Sequence, residues 1–319
     1  MKARFTGHDT FPLRYGWLYK AVDFISNGGK LLTSNEENTR DAIVKLGVGK
    51  NMINAIKYWG ESTSVVVTES KNNSATQAIS HNGMYLFGAS HSVGKDPYLE
   101  NIGSIWLIHF WLNFNADQLT AYRYFFNFSN FQHFEKVGLL DALLEDASSL
   151  TTDSTSNEKT IKKDLDCFFN TYCKKRKSKV AKVGEKITEE HFSSPLVELN
   201  LVQDVGGGFY KSDLSVRDSL PIEVFIYALI EYVKFETLES QANSLDFDSI
   251  QTKPYSPGRI FRLSESGLGQ LLDEAQKVSN SDITWIDSLG LRQIQIDRKL
   301  LDDPIRYLDA YFHGVKNNV

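Results

Sequence analysis

The sequence predicts a mainly α, α+β protein. It has a winged helix-turn-helix domain at the N-terminus, an aromatic-rich helical middle and a second winged-helix-like domain at the C-terminus. Three observations carry this. Before residue 60, two helical periodicities, a short glycine turn and a third helical stretch follow one another. Residues 96–145 carry large aromatics at helical spacing. Near the end, a capped helix leads into an alternating hairpin. The expected domains are 1–95, 96–215 and 216–319.

In order along the chain, Leu13, Trp17, Leu18, Ala21, Val22 and Ile25 recur at helical spacing and stop at Asn27-Gly28-Gly29. Ser34 and Glu37 have the form of a capping box that opens a second helix running to Leu46. Gly47-Val48-Gly49 is a tight turn, and a third helix follows over 51–60. Met52, Ile56 and Trp59 share its core face, and Lys50, Asn54 and Lys57 share another. Val65-Val66-Val67 reads as a strand, 69–82 as a polar wing and 84–88 as the second strand. Residues 148–159 form a polar linker, helix resumes over 161–172, and a basic island runs from Lys174 to Lys182. Gly206-Gly207-Gly208 is a turn between short strands and no phosphate loop, because no GK[ST] follows. Pro221 opens a helix over 222–235, Ser264 caps one to Lys277, and 283–286 pairs with 292–296.

Apolar residues at 41% and charged residues at 24% are a globular composition, which excludes collagen-like, coiled-coil and largely disordered chains. A net charge of −5 spread evenly would argue against nucleic acid. It is not spread evenly. Residues 1–60 hold nine Lys/Arg and five Asp/Glu, the 174–182 island holds six basic residues and no acid, and everything else sums to −15. The pattern is a basic face on an acidic body. Two cysteines six residues apart, Cys167 and Cys173, match no zinc or CxxC spacing and no secreted disulfide framework. No charged-then-apolar leader is visible, and the apolar windows 105–112 and 222–233 fall short of the ~20 residues a bilayer needs. The expectation is a soluble cytoplasmic protein with no membrane partner.

Five motifs bear on chemistry. Gly7-His8-Asp9-Thr10-Phe11, with Arg14, is either a phosphate, metal or acid–base site or an N-terminal cap. Lys50, Asn51, Asn54, Lys57 and Tyr58 lie where helix-turn-helix proteins touch phosphates and base edges; the alternative is a turn in any helical domain. Asp96 and Glu100 are spaced to share a divalent metal, or else Asp96 begins a turn and Glu100 sits in a first helical turn. His109, inside an apolar run, reads as a hydrogen-bonded core residue. Lys174, Lys175, Arg176 and Lys177 track a phosphate backbone or form a solvated loop, and Cys173 beside them is a sulfur-relay thiol or an idle one.

Taken together, GHDTF-x-LR-xx-WL-x-K at 7–20, LGVGKNM with YW at 46–59, DPYLE at 96–100, WLIHFW at 106–111, TAYRYFFN at 120–127, SSPLVELNL at 193–201 and PGRIFRLSE at 257–265 resemble the SspB-like family of bacterial DNA phosphorothioation systems. Asp9 stands where Glu is usual in that family, and Lys57 where Arg is usual. The resemblance implies antiphage defence in which sulfur replaces a non-bridging phosphate oxygen of DNA. It implies double-stranded DNA, a cysteine desulfurase and an ATP-using enzyme as partners, and Mg²⁺-dependent nicking for this component. On that reading Asp96, Glu100 and Asp9 are metal-ligand candidates, His8 a base and Arg14 a phosphate contact. A non-catalytic DNA-recognition adaptor and a winged-helix transcription regulator are the alternatives.

Overall fold

The structure, a computed structural model, describes residues 1–71, 74–89, 92–152, 157–174, 193–238, 242–288 and 290–317. Its class is α+β, as expected. The chain groups into two compact units, Met1–Tyr124 with His133–Ser212, and Phe125–Gln132 with Asp213–Val319.

The first unit opens with β1 (Lys2–Ala3) and helices α1 (Trp17–Ser26), α2 (Glu36–Leu46) and α3 (Lys50–Ser62). Helix α1 starts later than the periodicity suggests, because Gly16 is left-handed (φ 77°) and turns the chain there, leaving Leu13 buried outside the helix. The cap of α2 is Asn35 rather than Ser34: its side chain accepts the Asn38 N–H. Gly47, left-handed at φ 66°, ends α2 and permits the tight turn into α3. On α3 the inner face is Ile53, Ile56 and Trp59, all at 0% exposure, while Met52, expected there, is only half-buried.

Strands β2 (Val66–Lys71) and β3 (Ser74–Ile79) pair antiparallel from Val66–Ile79 to Lys71–Ser74. The second strand thus comes from the segment expected to be wing, and 84–87 instead lies in α4 (His81–Phe87), with Gly88 ending that helix. Two contacts explain the difference. Ser80 caps the helix by accepting from Gly83 N–H while donating to Ser64 O at 2.6 Å. Gly83 packs so closely that a Cβ there would sit 2.3 Å from Val65 O. After β4 (Gly88–Ala89) and β5 (Ser92–Val93) comes α5 (Ile102–Asn113), whose residues from Gly103 to Asn113 are all buried. His109 there lies 2.8 Å from the Tyr172 hydroxyl, the core role expected. Strand β6 (Gln118–Leu119) pairs parallel with β1.

The chain passes into the second unit within α6 (Ala121–Asn127). Arg123 of α6, 1% exposed, donates to Leu112 O, Gln118 O and Ser62 O, so one guanidinium gathers carbonyls near the ends of α5 and α3. Back in the first unit are β7 (His133–Glu135), α7 (Lys136–Leu150), α8 (Glu158–Tyr172), a 3₁₀ turn (Pro195–Leu199), β8 (Gln203–Gly206) and β9 (Phe209–Lys211). The sheet order is β7-β9-β8, turned by the three glycines as expected.

The second unit contains α9 (Ile222–Thr237), β10 (Ser244–Asp246), α10 (Phe247–Thr252), α11 (Pro257–Ile260), α12 (Glu265–Val278), β11 (Ile283–Ser288), β12 (Leu291–Ile296), α13 (Arg298–Asp302) and α14 (Ile305–Asn317). Ser264 caps α12 as expected, accepting from Gly267 N–H. The hairpin is joined by β10 in the order β10-β12-β11, and β10 is too short to show a period in sequence. No helix among the described residues is long and apolar enough to cross a membrane.

Asp246 caps α10 through the Ser249 N–H and hydroxyl, and these bonds hold its carboxyl below its ordinary value. A depressed carboxylate contributes stability that is complete above the unfolded value near 3.9 and is lost as pH falls below it. Asp246→Asn keeps an acceptor but no charge. Urea unfolding should therefore show the variant about 0.5–1 kcal/mol weaker at neutral pH, with the gap closing below pH ~4. A gap constant from pH 7 to pH 3 would refute the charge contribution.

Candidate nucleic-acid interface

The turn Gly47-Val48-Gly49 aims α3 so that Lys50 and Asn51 are exposed at its first turn, with Asn54 and Lys57 half-buried behind them. Gly49 caps the helix without a side chain, and Met52 N–H turns back to Gly49 O, so the N–H groups of Lys50 and Asn51 are the ones left for an anion. Among the described residues Lys50 makes no ion pair.

Asn54, Lys57 and Tyr58 line an open cleft of about 170 Å³ together with Arg4, Gly7, Asp9 and Glu61. Asn54 Nδ2 donates to Asp9 Oδ2 at 2.9 Å, and Asn54 Oδ1 accepts from the Thr33 hydroxyl at 2.6 Å. Glu61 organises the other wall: it takes Arg4 Nη2 at 2.5 Å and the Thr68 hydroxyl at 2.7 Å, and lies 3.8 Å from Lys57 Nζ. Burial pushes the Arg4 guanidinium down, but the charge and hydrogen bond of Glu61 together with Tyr58 and Tyr122 outweigh it and leave Arg4 above its ordinary value. The cleft is therefore balanced, with two cations against two carboxylates, while Lys50 stands one helical turn before Asn54 on α3.

The GHDTF block builds the loop that places Asp9. Gly7 has φ 111°, and a Cβ there would meet the Tyr58 ring at 2.9 Å. Asp9 and Thr10 are both left-handed (φ 46° and 64°), at a cost of about 1–2 kcal/mol each. Several contacts offset that strain. Thr10 N–H donates to His8 Nδ1 at 3.0 Å, Phe11 N–H to His8 O, and Trp59 Nε1 to Phe11 O at 3.0 Å. His8 Nε2 lies 3.0 Å from Asp164 Oδ1, off the line of a hydrogen bond, with both residues at 3% exposure or less. Asp164 Oδ2 accepts Ala121 N–H at 2.6 Å.

These positions revise the residue set. His8 faces protein groups at both ring nitrogens and acts on the loop, not on solvent. Arg14 is 8% exposed, lies over the rings of Phe11 and Trp17, and does not line the cleft. Tyr58 is 1% exposed with its hydroxyl 2.6 Å from that of Tyr122, so it forms the floor of the cleft. Lys174 is exposed, while Lys175, Arg176 and Lys177 lie outside the described residues. Cys173 is 8% exposed, and burial together with the Asp204 charge pushes its thiol up to about 12, opposite to what a sulfur carrier needs. Asp164 is the residue sequence reasoning missed. Its signal is an acid on the Ile161, Leu165, Phe168 stripe of α8.

Asp96 and Glu100 do not fit a Mg²⁺ site. Asp96 is 4% exposed and spends its carboxylate on Glu100 N–H (2.9 Å), Asn101 N–H (2.9 Å) and the Ser104 hydroxyl (2.6 Å), capping the approach to α5. Glu100 is exposed, and among the described residues no three His, Cys, Asp or Glu side chains cluster with metal-binding geometry.

The family described as a protein of unknown function (DUF4007) matches residues 5–312. No curated relative matches. Two solved structures are similar, a magnesium ion-bound SspB crystal structure (TM-score 0.79) and an SspB crystal structure (TM-score 0.78). Each is 26% identical to this chain and covers 99% of it and 90% of its own length. The chain therefore belongs to the DUF4007 family and is SspB-like.

Proposed function

We propose that this chain is the DNA-recognition component of a DNA phosphorothioation system, laying α3 against double-stranded DNA and bringing the cysteine desulfurase and ATP-using partners to the site of sulfur incorporation. The observation that carries the reading is the exposed start of α3: a glycine turn, open helix N–H groups, and Lys50, Asn51, Asn54 and Lys57 on one side. The likeness to SspB supports the system. The element orders α1-α2-α3-hairpin and α9-β10-α10-α11-α12-hairpin support winged-helix architecture in each unit.

Removing Lys50 and Lys57 together should weaken binding to a duplex oligonucleotide and flatten the slope of log affinity against log salt by about 0.9 per lost phosphate contact, measured by fluorescence anisotropy. A slope equal to wild type would overturn this interface. Chelating divalent metal should leave the affinity unchanged.

The magnesium ion of the similar SspB structure favours a second reading, metal-dependent nicking. The Asp96 carboxylate is taken up by Glu100 N–H, Asn101 N–H and the Ser104 hydroxyl, which speaks against Asp96 as a ligand. Relaxation of supercoiled plasmid with Mg²⁺ should be equal for wild type and Glu100→Ala. Loss of relaxation in that variant would restore Glu100 to the site.

A further inference from the structure

The PGRIFRLSE block has no part in the α3 interface. It builds one wall of an open cavity of about 420 Å³ that lies wholly within the second unit and is lined in part by Asn130, Gln132, Gln251, Thr252, Arg259 and Arg262. Arg259 donates from Nε to Thr252 O at 2.7 Å and from Nη1 to Ser129 O at 2.8 Å. Among the described residues no carboxylate pairs with it, and its Nη2 meets no acceptor. Arg262, 3% exposed, donates from Nη2 to Phe131 O at 2.7 Å and lies over the Phe125 ring.

Burial, reinforced by the charges of Arg217 and Arg259, pushes the Arg262 guanidinium down to about 10, and Asp213 opposes the shift. Glu265 also lines the cavity, but its carboxylate is held by Arg292 Nη1 at 2.6 Å. The half-buried Arg259 guanidinium, with no carboxylate partner among the described residues, costs free energy that a bound oxyanion recovers, and the planar fork of Arg suits phosphate. The wall also holds a group of the opposite kind. Gln251 gives Nε2 to Leu263 O at 2.8 Å, which leaves its buried Oε1 without a donor.

We infer that this cavity binds a nucleotide through its phosphate, with Arg259 and Arg262 facing the oxyanion and Gln251 Oε1 accepting from a sugar hydroxyl or base amino group. Inorganic phosphate alone would leave the space largely unfilled. The nucleotide is either free or the terminal residue of a DNA strand. The site is separate from α3 and does not depend on the α3 reading.

Isothermal titration of the full chain with deoxyadenosine monophosphate, a 5′-phosphorylated DNA trinucleotide and inorganic phosphate tests this. At least one of the two nucleotide probes should bind more tightly than phosphate, and the tighter of the two identifies the source. Arg259→Gln should weaken that binding at least tenfold. Gln132→Glu, on the exposed rim, should weaken it without touching the core, which covers the case in which Arg259→Gln misfolds. Lys50→Ala should leave it unchanged. The inference is overturned by phosphate binding as tightly as both nucleotides, by no nucleotide binding, by wild-type binding in a folded Arg259→Gln or Gln132→Glu, or by loss in Lys50→Ala.

Discussion

Replacing Asp164 with alanine should lower the unfolding free energy by about 3–5 kcal/mol, read from urea denaturation at neutral pH. Asp164 is at 0% exposure, and its two oxygens serve different segments. Oδ2 takes the Ala121 N–H at the start of α6, while Oδ1 faces His8 Nε2 at 3.0 Å. Alanine leaves the Ala121 N–H buried without an acceptor, at about 1–3 kcal/mol, and takes the carboxylate away from beside the buried His8 ring. It also removes the group that anchors the His8 ring, on which the left-handed Asp9-Thr10 backbone depends. Asp164→Asn keeps an acceptor for Ala121 N–H and should lose less than half as much. If the alanine variant lost under 1 kcal/mol, the Asp164–His8 pair would not be what holds this loop. The partial refolding of the loop should also release Asp9 from Asn54, so Asp164→Ala should change duplex affinity although Asp164 never meets solvent.

What sequence shows and hides here follows from range. The helices α1, α2, α3, α9 and α12 were readable because their apolar periods and caps are local, as Ser264 and Gly47 illustrate. The second strand of the hairpin was misplaced because Ser74–Ile79 is polar and forms a strand only by pairing with β2, with Gln77 taking the Leu31 N–H. The short apolar run at 84–88 suits strand and helix alike, and the Ser80 cap decides for helix. The exposed ends of the site, Lys50 and Asn51, were legible from helix order. For Asp96 the sequence offers a turn or a metal ligand, because a carboxylate that caps a neighbouring helix and one that holds a metal look identical there, and the structure shows the turn and cap. The His8–Asp164 pair was not legible, because its members lie far apart in the chain.

Trp59→Ala should cost about 3–5 kcal/mol, the range for deleting a large buried aromatic. Trp59 has 0% exposure, meets Tyr58 edge-on at 5.2 Å and Tyr122 at 5.9 Å, and gives its Nε1–H to Phe11 O at 3.0 Å. Two effects separate with a second variant. Trp59→Phe keeps most of the apolar volume and loses the N–H, so it isolates the hydrogen bond and should cost about 1–2 kcal/mol. The Phe11 carbonyl retains the Cys167 thiol at 3.4 Å, a weaker donor, which keeps this cost at the low end. The functional consequence differs in kind from that of removing Lys50. Trp59 stands on the inner face of α3 and ties it to the GHDTF loop, so its loss should lower duplex affinity by letting α3 and Asp9 drift apart. The salt slope, set by the number of phosphate contacts, should stay close to wild type in the folded Trp59→Phe variant. Lys50→Ala should reduce the slope with little change in stability. If Trp59→Phe reduced the slope as much as Lys50→Ala does, the tie between the GHDTF loop and α3 would itself carry a phosphate contact, and the division between positioning and contact argued for this helix would fail.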